Sequence, residues 1–368
     1  PSMHEFLGTE YNSPNVSLIA SACTSIGFLL IFATELIVGS RFLAALVPQI
    51  PEWITVVFLS FVGFTYTVFG GFRAVIKTDQ LQMWFIWILI FCLSIYYFYH
   101  IFFLNTLSES INRVPDGLFS LSSRSGLGFF LLGIAVMNIP THISNMSIWQ
   151  RISGADKPEI VIRGIKKSVW GLAFSWGLLA LLACFAYLIV TPIKGQNLLT
   201  QLLIVVSENW VGKFVLFIVV VGLFGAMLST ASTNLIVVAH TVSEDIVAKF
   251  NKASLKERLA SRKEFNLSRL ILILSALVAV FLVEGLNYIG FSIADLVFAI
   301  YGGSLALFPP ILIALYVDRE LLKKLSVFCN WSVVFGFLSG WGTAIYGKYI
   351  NNANLIFLSP AFSIITSF

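Results

Sequence analysis

The densest run of small and hydroxyl-bearing side chains is Gly225-Ala226-Met227-Leu228-Ser229-Thr230-Ala231-Ser232-Thr233-Asn234. At about 100° per residue, Ala226, Ser229, Thr230 and Thr233 share a helical arc of about 100°, with Ser232 at its edge. Hydroxyl and carbonyl oxygens are hard ligands, so such a face suits a small hard cation. The same face also suits close helix packing, with each hydroxyl bonded back to the preceding turn. Spacing alone leaves both readings open.

A second run is Gly70-Gly71-Phe72-Arg73-Ala74-Val75-Ile76-Lys77-Thr78-Asp79-Gln80-Leu81-Gln82. Here Asp79 is expected to open a helix, as a cap favoured by the helix dipole or as a carboxylate that neutralises a bound cation. A third is Asn138-Ile139-Pro140-Thr141-His142-Ile143-Ser144-Asn145. Pro140 removes a helical hydrogen bond, which predicts a break with Asn138, Thr141 and His142 beside it. Such a break lines a cavity, or is a kink whose polar groups are satisfied by neighbouring helices. Glu35 and Asp295 are ion or proton sites, or partners in buried bonds. His240 lines a vestibule or sits in an interface. Gly302-Gly303 and Pro309-Pro310 predict a bend that serves a moving gate or packing. There is no phosphate loop, nucleophile elbow or metal-type His/Cys spacing, so no enzyme chemistry is expected. Cys23, Cys92, Cys184 and Cys329 all lie in apolar runs and read as small packing residues.

The elements that must carry these residues are apolar. Hydrophobic residues make up 58% and charged residues 11%, and the mean hydropathy is +0.90. A soluble domain carries about a quarter charged residues. Apolar stretches of about 20 residues recur, as a bilayer requires. Helices are predicted over 16–46, 53–70, 79–104, 127–149, 162–192, 212–246, 266–286, 289–317, 325–349 and 354 onward. Polar loops are expected at 105–126 and 193–211, the second with a short amphipathic stretch from Leu198 to Trp210. With the first segment in the cytoplasm, 17 of the 23 lysines and arginines face inward: Arg73, Lys77, Arg151, Lys157, Arg163, Lys166, Lys167, Lys249, Lys252, Lys256, Arg258, Arg262, Lys263, Arg269, Arg319, Lys323 and Lys324. Arg41, Arg113, Arg124, Lys194, Lys213 and Lys348 face outward. The net charge of +5 is dispersed between apolar segments, which excludes a nucleic-acid face.

At these motifs the chain resembles the solute:sodium symporter family, which includes sodium/proline, sodium/sialic acid and sodium/glucose symporters. Gly70-Gly71 through Thr78-Asp79-Gln80-Leu81-Gln82 is similar to the family's glycine pair ending in Thr-Asp-x-x-Gln. Trp149-Gln150-Arg151 with Gly154-Ala155 is similar to its Gln-Arg motif. Ala226-Met227-Leu228-Ser229-Thr230 through Ser243-Glu244-Asp245-Ile246 is similar to its small-residue run ending in Glu-Asp, and Leu307-Phe308-Pro309-Pro310 resembles the proline-symporter branch. The motifs follow in the family's order along nearly the whole chain.

The resemblance implies an all-α membrane bundle of about ten transmembrane helices, of leucine-transporter type, built on two five-helix inverted repeats. Residues 1–104 are the expected remainder of the first repeat, 127–317 the second, and 325–368 further helices. It implies a multi-pass cytoplasmic-membrane protein that moves a small polar organic solute by alternating access, with sodium as the coupling ion and no cofactor. By position, Ala226 (through its carbonyl), Ser229 and Thr230 would hold the common sodium ion. Asp79, Ser229, Ser232 and Thr233 would hold a second, and Asn138, Thr141 and His142 would touch solute. Proline symporters carry aromatic residues at the places of Asn138 and His142, so the polar pair here suits a more hydrophilic solute. The family places further helices before Ser2–Gly8, so the chain is expected to be a fragment lacking the first two core helices. Rival expectations are proton coupling through Glu35 or Asp79, a solute sensor fused to a signalling kinase, and a scaffold that binds nothing.

Overall fold

The computed structural model describes residues 2–104, 107–112, 114, 126–191, 193, 198–247 and 262–368. Arg113, Arg124, Lys194, Lys249, Lys252, Lys256 and Arg258 lie outside the described residues. So do most of the expected loop 105–126, part of the loop 193–211, and the side chains of Arg73, Arg262 and Lys263.

The chain opens with a short helix α1 (Met3–Glu10), capped by Ser2, whose hydroxyl accepts from the Glu5 amide. Next comes α2 (Pro14–Leu46), started by a proline that needs no N–H in the first turn. The following helices are α3 (Glu52–Phe72) and α4 (Ala74–Phe103). Then come α5 (Leu127–Ser144), α6 (Met146–Ser153), α7 (Pro158–Ile189), α8 (Leu198–Ser207) and α9 (Trp210–His240). A wider-wound stretch, Thr241–Val247, prolongs α9. The last are α10 (Arg262–Ile289), α11 (Ile293–Ser304), α12 (Phe308–Tyr316), α13 (Arg319–Tyr349) and α14 (Ala353–Ser367). There is no strand among the described residues.

Among those residues, nine helical spans are long and apolar enough to cross a bilayer, and α14 is a shorter tenth apolar helix. Of the expected ten spans, nine are long helices and the tenth segment is the apolar helix Ala353–Ser367. The outside of the bundle is apolar: Trp84 is 68% exposed, Phe281 76% and Trp170 79%. Water would penalise that surface, whereas lipid chains accept it.

The core gathers around α2. Phe32, Ala33 and Ile37 are fully buried with Leu235 of α9, Ala279 and Val283 of α10 and Leu296 of α11. One polar end of the bundle is tied by α1. There the Tyr11 hydroxyl donates to the Pro310 carbonyl at 3.1 Å, and Glu10 pairs with Arg319. Buried His4 bridges the Asp245 carboxylate (2.7 Å) and the Thr24 hydroxyl (2.9 Å). At the other end, Arg41 donates to Asn287 at 3.2 Å, and Lys348 stands 3.7 Å from Asp295.

Three expectations change. First, α4 starts at Ala74, so Asp79 sits more than a turn inside the helix and is not its cap. The break before it is at Gly71, with φ 60° and ψ −178°, a conformation essentially restricted to glycine. Second, α5 runs through Pro140 and stops at Asn145, whose backbone is extended (φ −89°, ψ 109°). Asn145 accepts from the Ser147 amide at 2.9 Å and so caps α6. Third, Gly302-Gly303 lies inside helical α11, and the chain changes winding only at Leu305–Leu307, just before Pro309-Pro310. These glycines serve packing: a Cβ on Gly340 of α13 would lie 2.8 Å from the Gly302 backbone.

Candidate functional site

The site forms where α4, α6 and α9 meet. Gly71 turns the chain so that α4 lies along α9, and the Asp79 carboxylate points at the hydroxyl face of α9. Ser229 donates to Asp79 Oδ1 at 2.5 Å. The other oxygen, Oδ2, accepts from the Arg151 guanidinium at 3.0 Å. Arg151 comes from α6, the helix that Asn145 redirects, and it also reaches the Thr233 hydroxyl at 3.4 Å. Ser229 and Thr233 are one turn apart, so both face α4. Ser232 is fully buried beside them and donates to the Ser229 carbonyl at 3.1 Å. A tight cavity of about 10 Å³, one water-sized particle, lies against Arg151, Gln150, Ser147 and Thr233. Gln82 Oε1, Gln150 Nε2 and Asn234 Nδ2, on the same three helices, are buried without a hydrogen-bond partner among the described residues.

The small-residue arc therefore divides. Ser229 and Thr233 meet Asp79, with Ser232 alongside. Ala226 and Thr230 form the neighbouring stripe, where the exposed Thr230 hydroxyl donates to the Ala226 carbonyl at 3.2 Å. Each hydroxyl oxygen keeps a lone pair after donating its hydrogen, so both stripes retain oxygens able to accept a cation. One carboxylate plus three hydroxyls is a donor set for a small hard ion such as sodium, with no soft ligand among them. In this arrangement the guanidinium of Arg151 already supplies positive charge to Asp79.

Asn138, Thr141 and His142 are placed on α5, away from this cluster. Their polar atoms turn back on their own helix. The Asn138 amide donates to the Ile134 carbonyl at 2.9 Å, and the Thr141 hydroxyl to that of Met137 at 2.5 Å. His142 Nδ1 lies 2.8 Å from the Asn138 carbonyl oxygen. Asn138 and His142 are exposed along with Ile139, a polar face beside an apolar one. Asp295 closes a reciprocal cap with Ser292 at the start of α11, a structural role. Glu35 lies within α2 near the Tyr301 phenol of α11, and His240 is exposed at the end of α9. Among the described residues no three His, Cys, Asp or Glu side chains gather as a metal centre. In sequence, Arg151 stands out as part of the Gln-Arg motif and as an inward-facing charge, with no partner indicated. Its place against Asp79 depends on a contact 72 residues apart, which helix periodicity does not report.

Bilayer-length apolar helices around an oxygen-lined, charge-bearing seam define an integral membrane protein with a polar site between its helices. The chain belongs to the Sodium:solute symporter family, whose profile matches residues 2–321. The fold is also that of a solved Na+-coupled sialic acid symporter, captured in a substrate-bound outward-open state that reveals a novel Na+ site. The likeness covers 99% of this chain and 77% of that one, with a TM-score of 0.69 and 16% sequence identity. No curated protein sequence matches the chain.

Proposed function

We propose that the chain works in sodium-coupled symport of a small polar organic solute across the cytoplasmic membrane, by alternating access. The observation that carries this reading is the seam in which Asp79 of α4 meets Ser229 and Thr233 of α9. Asp79, Ser229, Ser232 and Thr233 hold one sodium ion; the Ala226 carbonyl, Ser229 and Thr230 belong to another. Ser229 is common to both, so the two ions sense each other through one side chain. Asn138, Thr141 and His142 contact the solute, and their polarity favours a hydrophilic one. Residues 1–104 belong to one inverted repeat and 127–317 to the other, with 325–368 added outside them. The end of the bundle with α1, Arg151 and Arg319 faces the cytoplasm, in keeping with the lysine and arginine bias.

Coupling is then a binding linkage. Sodium favours one arrangement of α4 against α9, and the solute favours the same arrangement, so each raises the affinity for the other. The test is thermal stability of the purified protein in detergent against sodium, with potassium and choline as controls. A ligand that binds only the folded state raises apparent stability. The expected result is a sodium-specific rise that is lost in Ser229→Ala and reduced in Asp79→Asn. No sodium effect, with stability following pH instead, would replace sodium by protons as the coupling ion.

A further inference from the structure

We propose that the Pro158 end of α7 carries a binding site for an anionic phospholipid, whose phosphate sits among Arg163, Lys166 and Lys167 with Trp170 above it. An open groove with about 430 Å³ of space runs along this helix face, lined by Glu159, Ile162, Arg163, Lys166, Lys167 and Trp170. Spacings of three and four place all six on one helical face. None of the three cations has an ion-pair partner among the described residues. The single acid, Glu159, leaves the face with an excess of positive charge.

Depth selects a lipid over a soluble anion. Residues 168–189 of α7 contain no charged side chain and span about 33 Å as a helix, close to hydrocarbon thickness. Lys166 and Lys167 directly precede that stretch, at the level of lipid phosphates. Trp170 lies one turn inside it, where indole rings sit between headgroup and chain. Ile162 and Trp170 are 54% and 79% exposed, giving the groove an apolar wall beside its basic one. An acidic peptide would meet the cations and leave that wall wet; a phospholipid answers both. The site is separate from the seam at Asp79, and it does not depend on which ion or solute is carried.

The test compares melting temperatures of the whole chain in detergent micelles with added phosphatidylglycerol, phosphatidylcholine or inorganic phosphate. Two variants are included: Lys166→Gln/Lys167→Gln, and a control with the same charge change at the start of α13, Lys323→Gln/Lys324→Gln. Phosphatidylglycerol is expected to stabilise the wild type, and the other two additives are not. Each basic residue near an anionic surface strengthens binding roughly fivefold, so the α7 variant should need about 30-fold more lipid for half the effect. The α13 variant should behave as wild type. Equal losses in both variants would reduce the effect to general charge and overturn the site. A rise produced by phosphate alone would assign it to a free anion, and unchanged lipid dependence in the α7 variant would also refute it.

Discussion

Replacing Arg151 by Gln should tighten sodium binding. The guanidinium stands 3.0 Å from Asp79 Oδ2, so a cation entering the seam must share or displace it. Two unit charges about 4 Å apart interact by about 1 kcal/mol in bulk water and about 4 kcal/mol at the effective dielectric of a protein surface. The Arg151 side chain is 50% exposed and that of Asp79 20%, which places the pair nearer the watery limit. An interaction of about 1 kcal/mol, removed from the ion-free state only, shifts the sodium midpoint down about fivefold. Gln keeps a donor for Asp79 and Thr233 while removing the charge, so it isolates the electrostatic term. The assay is melting temperature against sodium concentration, with choline chloride holding ionic strength constant. Asp79→Asn serves as the opposite case, with weaker sodium response. An unchanged or higher sodium midpoint in Arg151→Gln would refute the competition. A loss as deep as that in Asp79→Asn would make Arg151 a support of the ion site and not its rival.

Three further substitutions test the frame around the seam. Gly71→Ala should destabilise by about 1–3 kcal/mol in denaturant titration, because the added Cβ meets no packed neighbour within 4 Å among the described residues and the cost is one of backbone conformation. Gly340→Ala should cost a similar amount for the opposite reason: its φ is helical, but its Cβ would press on the Gly302 backbone at 2.8 Å, which has no rotamer to move. His4→Ala should destabilise by about 3 kcal/mol, because it leaves the mostly buried Asp245 with Ser2 as its remaining hydrogen-bond partner. Adding Asp245→Asn should recover part of that loss, and strict additivity of the two changes would show that the pair is not coupled.

Much of this architecture can be read from hydropathy, because a bilayer leaves a helix few alternatives. Helices α2, α5, α7 and α9 begin within four residues of where apolar length and flanking charge place them, whereas α13 begins at Arg319, ahead of the expected 325. The errors are at breaks. Pro140 is the obvious helix breaker in its segment, yet α5 passes through it, as membrane helices tolerate when neighbours or side chains satisfy the freed groups. The real break uses Asn145, whose side-chain oxygen accepts from both the amide and the hydroxyl of Ser147. That Asn-x-Ser capping pattern is legible in sequence, but it is quieter than a proline.

The candidate site shows a deeper limit. Periodicity states which residues share one face of one helix; it does not state which two faces meet. The arc of Ala226, Ser229, Thr230 and Thr233 is one continuous stripe in sequence, and a cation could be assigned to any part of it. The structure separates it because Asp79, carried by α4 from beyond Gly71, addresses Ser229 and Thr233 and leaves Ala226 and Thr230 open. Arg151 then enters from α6 by way of the turn at Asn145. The charge balance of the seam is thus set by two backbone breaks, Gly71 and Asn145, neither of which need touch an ion. It follows that substitutions at these two positions should alter sodium dependence even where every oxygen ligand is retained.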